Sequence, residues 1–215
     1  ADTFGFIPLV EYSKDYEYAE NNPINGISNP FEYYFQQPSN IQLSDIKNYR
    51  FVLQSRKENA AFVATQLNNR ANYELNEGYL HEMGRISHKY IKLRPELRKE
   101  FDVDIQRMKE NKPTLGVHYR GTDFKRNYKG HPVAIGTEDY INAVKKLVDT
   151  REYTRIFLAS DDIDAVKAFK KAFGNKLYYY NDTFRSSGSE TVMKSDSTRH
   201  LHHYMLGKEV LRDAY

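Results

Sequence analysis

From Lys112 onward the apolar positions switch back and forth between two periods. "TLGVHYR" alternates, which predicts a strand with Leu115, Val117 and Tyr119 on one face and His118 and Arg120 on the other. "TEDYINAVKKLV" returns an apolar residue every third or fourth position. That spacing predicts a helix with Ile141, Val144, Leu147 and Val148 turned inward and Thr137 as its N-cap. "RIFLAS" is apolar without interruption, as expected of a strand buried on both faces. "DDIDAVKAFKKAFG" predicts a helix carrying Ile163, Val166, Phe169 and Phe173 and closed by Gly174. "KLYYY" predicts a third strand, followed by a polar, serine-rich loop and a last helix from near His200. Strand, helix, strand, helix, strand and helix over about 100 residues predict a doubly wound α/β unit at 112–215.

Upstream the pattern is less regular. Residues 1–40 are rich in Asn, Pro and Tyr and predict a strand at 6–10 followed by irregular structure. Pro30 and Pro38 bracket "NPFEYYFQQP", leaving room for only a short element between turns. Residues 55–110 are mostly helical in period, with Ile86, Tyr90, Ile91 and Leu93 as one apolar stripe and Pro95 restarting the helix. The basic run "HKYIKLRPELRKEF" interleaves acids at helical spacing and reads as a solvated helix face. A boundary near residue 112 thus separates an N-terminal α/β and helical portion, 1–111, from the α/β unit. Ala1 is not an initiator, and the last helix stops without a capping glycine, so a chain cut at both ends is the expectation.

Composition narrows the classes. With 215 residues the chain makes one large domain or two modest ones, and 40% hydrophobic against 28% charged residues is ordinary for a globular protein. No apolar run approaches the roughly 18 residues that span a bilayer, and no signal segment opens the chain. The absence of cysteine excludes disulfides, thiolate zinc sites and a cysteine nucleophile. A cytoplasmic location, at most peripheral to a membrane, is the expectation. A net charge of +3 is too small to argue for nucleic acid. The 18 tyrosines cluster at 33–34 and 178–180, where the core explains them better than a sugar-stacking surface.

Ligands of open α/β sheets bind beyond the carboxyl ends of the strands. One such end carries His118 and Arg120, and another carries Ser160, Asp161 and Asp162. If the two strands are neighbours, a cation and an acid pair meet over one crevice. Structural roles compete: Asp161 or Asp162 as a helix N-cap, Arg120 and Asp123 as an ion pair, His118 as a core histidine. The chain has no G-x-x-x-x-G-K-[ST] loop and no G-x-G-x-x-G fingerprint. "RHLHH" spaces His200, His202 and His203 wrongly for a metal on one helix face, so no metal site is expected. H-E-x-x-H and G-x-S-x-G are absent as well. A phosphate bound here must therefore be held by side chains, and Arg120, with its planar fork, is the leading candidate.

"GVHYRGTD" resembles the H-x-R-x-x-D motif that opens the donor-binding domain of the fucosyltransferase superfamily. "RIFLASDDIDAVKAFKKAFGNKLYYYND" and "HPVAIGTEDYINAV" are similar to the stretches that follow it, and "NPFEYYFQQP" to a segment ahead of it in microbial and viral-type members. The resemblance covers most of the chain, in the right order. It implies a GT-B-like fold with a C-terminal Rossmann-like half, incomplete here, and an N-terminal acceptor-side half. It implies an inverting, metal-independent glycosyltransferase that moves a sugar, most often fucose from GDP-fucose, to a glycan acceptor without a cofactor. Its alternative is a silent glycan- or nucleotide-binding module of the same fold. Carried over by position, Arg120 grips the β-phosphate and stabilises departing GDP, His118 contacts the guanosine and Asp123 braces the motif loop. Ser160, Asp161 and Asp162 then lie at the nucleotide, an acid suiting the guanine N1–H and N2–H₂ donors. Asp123, His131 and Glu138 remain open as the base on the acceptor side. Gly121 stands where several relatives carry a second arginine.

Overall fold

The computed structural model describes residues 5–54, 68–69, 74–75, 77–122, 135–195 and 197–215. Along the chain β1 (Asn68–Asn69) and β2 (Glu74–Leu75) form a short antiparallel pair. Helices α1 (Glu77–Tyr90) and α2 (Pro95–Lys109) follow, then β3 (Thr114–Tyr119), α3 (Thr137–Thr150), β4 (Arg155–Ser160), α4 (Ile163–Phe173), β5 (Leu177–Tyr178) and α5 (His202–Ala214). This is a mixed α/β architecture around a small parallel sheet ordered β3-β4-β5.

The register runs from Thr114 beside Arg155 to Tyr119 beside Ser160, so β3 and β4 end level with each other. Because the sheet winds one way, α3 and α4 cover the same face. There Val117, Tyr119, Ile156 and Leu158 pack against Ile141 and Val144 of α3 and Ala165, Val166 and Phe169 of α4. The opposite face presents Phe157 and Ala159 to Met108 and Ile105 of α2 and to Tyr180. Helix α5 is joined to α2 by Tyr215, whose hydroxyl donates to Asp102 at 2.7 Å and whose ring lies 5.8 Å from Phe101. A Lys208–Glu100 ion pair at 2.7 Å adds to that seam.

The chain divides into two compact units, Ala1–Lys14 with Asn22–Pro95, and Asp15–Asn21 with Glu96–Tyr215. The division falls at Pro95 rather than at residue 112, because α2 supplies the apolar cover for one face of the sheet.

Several local expectations change for identifiable reasons. Residues 6–10 join no ladder. Side-chain amides take the hydrogen bonds of Val10 instead: its N–H donates to Gln37 Oε1 at 3.0 Å, and its carbonyl accepts from Asn29 and Gln37 at 2.8 Å each. Asn29 also caps the single 3-10 turn at Pro30–Tyr33, the short element that the flanking prolines allow. Thr137 is the first residue of α3 rather than its cap, which is Gly136; its hydroxyl shares a 2.8 Å hydrogen bond with the Tyr119 phenol. Leu147 is 43% exposed, leaving Ile141, Val144 and Val148 as the inward stripe. Helix α1 ends at Tyr90, so Ile91 falls outside it and is exposed, while Leu93 bridges to Phe35. Only Leu177 and Tyr178 of "KLYYY" enter the ladder. No helix among the described residues is long and apolar enough to cross a membrane.

Candidate functional site

The level ends of β3 and β4 are tied by one carboxylate. Asp161 accepts from the Gly121 N–H at 3.0 Å through Oδ1 and from the Thr122 hydroxyl at 2.5 Å through Oδ2. Thr122 is fully buried, so the turn after β3 is fixed to the neighbouring strand. Asp162, also fully buried, caps α4, its Oδ1 accepting from the N–H groups of Asp164 at 2.8 Å and Ala165 at 3.3 Å. The Asp162 N–H donates in turn to Ser160 Oγ at 3.2 Å. A Cβ on Gly121 would stand 2.4 Å from Asp162 Oδ2 and 2.6 Å from the Tyr119 ring, so only glycine fits between them.

Arg185 closes the sheet end from the other side. Its three nitrogens donate to the carbonyls of Ser160, Thr183 and Tyr180, each at 3.0 Å. Burial pulls its pKa below the usual arginine value, and the nearby Asp213, Tyr179 and Glu209 oppose that. Ser186 continues along β4, donating to the Asp161 carbonyl at 3.1 Å and accepting from Ile163 at 3.0 Å.

Over these strand ends opens a cleft of about 690 Å³. His118 of β3 and Arg120, the residue after its end, line it, both exposed and alternating with buried Val117 and Tyr119. Small Ala159, beside His118 in the ladder, leaves room at the floor. Helix α5 contributes Leu206, Glu209, Val210 and Asp213, and the remaining wall includes Tyr18, Thr191 and Lys194. Glu209 is buried and committed: it accepts from Arg199 at 2.6 Å and from the Phe184 N–H at 3.2 Å. Asp213 is different. It is half-buried, no hydrogen bond to its carboxylate is found among the described residues, and burial pushes its pKa up to about 6. Glu209 and Asp182 push the same way, against Arg212 and Arg185.

A second cavity, of about 680 Å³, opens along β5 and includes Arg107, Lys170, Asn175 and Asp182. Its tyrosines are packed by guanidinium groups: Arg155 lies 5.5 Å from the Tyr178 ring, Arg185 5.4 Å from Tyr179, and Arg212 4.1 Å from Tyr180.

Of the residues singled out in the sequence, His118, Arg120, Ser160 and Asp161 come together on the cleft. Asp162 does not line it and is the helix cap. Glu138 stands exposed in the first turn of α3, away from the cleft. Asp123 and His131 lie outside the described residues. Among the cleft residues the sequence reading did not single out are Tyr18 and Asp213. Asp213 left a trace, since Leu206, Glu209, Val210 and Asp213 follow an i, i+3, i+4, i+7 stripe that ends in an acid. Tyr18, about 100 residues from Arg120 in sequence, left none. His202 is buried edge-on to Phe184 at 4.8 Å, and His203 faces the Glu17 carbonyl at 3.1 Å. No group of three potential metal ligands occurs among the described residues. No family model and no curated protein matches the chain.

Proposed function

We propose that the cleft binds a GDP-sugar and that the protein is an inverting glycosyltransferase of GT-B-like architecture, with fucose as the expected sugar and a glycan as acceptor. The observation that carries this reading is the meeting, in one cleft at the carboxyl end of a parallel sheet, of His118 and Arg120 with the half-buried carboxylate of Asp213. The strand end is rigid, because Asp161 fixes the turn that follows Arg120. A cation held this way suits a pyrophosphate, whose charge grows as the bond to the sugar breaks. In an inverting transfer the acceptor oxygen attacks the anomeric carbon, and the electron pair of the broken C–O bond leaves with GDP. Arg120 stabilises that charge, and a base elsewhere takes the acceptor proton.

The base-reading acid is reassigned within this proposal. Asp162 is committed to α4, and both oxygens of Asp161 already accept from the β3 turn. Glu209 is committed and Glu17 is exposed, so within this proposal Asp213 takes the paired N1–H and N2–H₂ donors of guanine. A nucleobase arriving there supplies the hydrogen bonds that a half-buried carboxylate requires. His118, which lines the same cleft, is assigned to the guanosine in this proposal.

Calorimetric titration with GDP, UDP and ADP, with and without EDTA, tests the reading. Selective binding of GDP that EDTA leaves unchanged is the expected result. Equal affinity for the three nucleotides, or none for any, overturns it. GDP binding without transfer from GDP-fucose to any glycan would identify a silent binding module instead.

A further inference from the structure

Residues Asp15–Asn21 belong to the unit built on the sheet, while the chain on both sides of them belongs to the other. Two contacts pin this excursion to the start of α5. The Glu17 carbonyl meets His203 Nδ1 at 3.1 Å, and Glu20 Oε1 accepts from the Tyr204 N–H at 2.9 Å. A tight turn, closed by the Ala19 N–H donating to the Tyr16 carbonyl at 2.8 Å, shapes the segment between the pins. Tyr16 packs edge-on against Tyr18 with ring centroids 5.4 Å apart. What this pinned turn brings to the cleft wall is Glu17 and Tyr18, on the wall that also holds Arg120.

We infer that Tyr18 donates its phenolic hydrogen to the phosphate that Arg120 binds, making it a second, uncharged phosphate ligand. This rests on the GDP-sugar reading of the cleft and goes one residue beyond it. Three observations separate Tyr18 from a packing tyrosine. It is half-buried at the mouth of a cleft rather than inside either apolar cluster of the sheet. Arg120 lines the same cleft, and its charge acts on the phenol. Like any tyrosine the phenol is protonated at neutral pH, and burial and Glu17 raise its pKa further despite that cation, so it stays a donor beside a charged ligand. A neutral donor beside a guanidinium grips a phosphate oxygen without adding a second desolvated charge.

The test is calorimetric titration of wild type and Tyr18→Phe with inorganic pyrophosphate, GDP and guanosine. Tyr18→Phe keeps the ring and its packing, so an unchanged melting temperature verifies the fold. The expected result is about a tenfold or greater loss of affinity for pyrophosphate and GDP, as for a hydrogen bond to a charged group, with guanosine unaffected. In the double variant with Arg120→Lys the two losses should fall short of additive, because both groups serve one anion. Wild-type affinity for pyrophosphate in Tyr18→Phe overturns the inference and leaves the GDP-sugar reading standing. A loss that is equal for guanosine moves Tyr18 to the base and also overturns it. A wild-type protein that binds neither GDP nor pyrophosphate overturns both.

Discussion

Gly121 and Asp162 leave no room between them for a side chain: a methyl group on the first would stand 2.4 Å from a carboxylate oxygen of the second. Asp162 cannot yield, because its other oxygen caps α4 and the residue is fully buried. The Tyr119 ring blocks the other side. A side chain at position 121 therefore has no room in this packing. Gly121→Ala should destabilise the fold by about 1–3 kcal/mol, the usual range for forcing extra volume into a packed site. A urea melt that matches wild type would show that the strand ends relax more than their packing allows.

Asp162 itself should behave as a structural residue. Asp162→Ala removes the cap from two N–H groups and should cost about 1–2 kcal/mol. Asp162→Asn should recover part of that loss, since the amide oxygen still accepts. Nucleotide affinity, measured well below the melting temperature, should change little in either variant. A loss of affinity in Asp162→Asn without a loss of stability would return the residue to the binding site.

Arg120 carries the chemical burden of the proposal. Arg120→Lys should retain the fold and lose at least about a hundredfold in turnover of GDP-fucose, because lysine cannot reproduce the two-pronged contact and preorganised charge is typically worth about 3–4 kcal/mol. Near-normal turnover in that variant would remove the arginine from the mechanism.

In its proposed role Asp213 links binding to pH. A carboxylate that accepts from guanine must be ionised, so GDP affinity should fall as the pH drops below about 6, while pyrophosphate affinity follows a different profile. Stability runs the other way. The folded pKa lies above the ordinary value of 3.8, so protonated Asp213 favours the fold at low pH, and that contribution is lost as the pH rises through about 6. Asp213→Asn should therefore gain stability relative to wild type on going from pH 4 to pH 7, and lose its preference for GDP over ADP. Parallel thermal melts and titrations across that range check both halves. Wild-type selectivity in the variant would exclude Asp213 from base recognition.

The sheet was readable because its strands and helices repeat locally. Leu115, Val117 and Tyr119 alternate with His118 and Arg120 in one short stretch, and the face each pair occupies follows from period two alone. Where the reading failed, distant side chains had changed the local balance. The apolar run at 6–10 would ladder if a strand lay beside it, but the amides of Asn29 and Gln37 satisfy Val10 first. Thr137 carries good capping chemistry, yet the Tyr119 phenol engages its hydroxyl. The acids at the end of β4 were visible, but their division of labour was not. Whether Asp161 or Asp162 faces a ligand depends on how the β3 turn packs, a contact made across about 40 residues of chain. Tyr18 illustrates the limit most plainly, since no local pattern tells a tyrosine in an irregular segment that it will line the same cleft as Arg120.

The excursion of Asp15–Asn21 has a consequence for anyone dividing this protein. A cassette beginning at Glu96 would contain every strand of the parallel sheet, the helices packed on it and α5, and the apolar residues on both faces of that sheet would all be present. It would still lack Glu17 and Tyr18, and the α5 residues His203 and Tyr204 would face water where those pins had been. The cleft is thus not a modular property of the C-terminal sequence. Grafting it onto another scaffold requires two separate pieces of this chain to travel together.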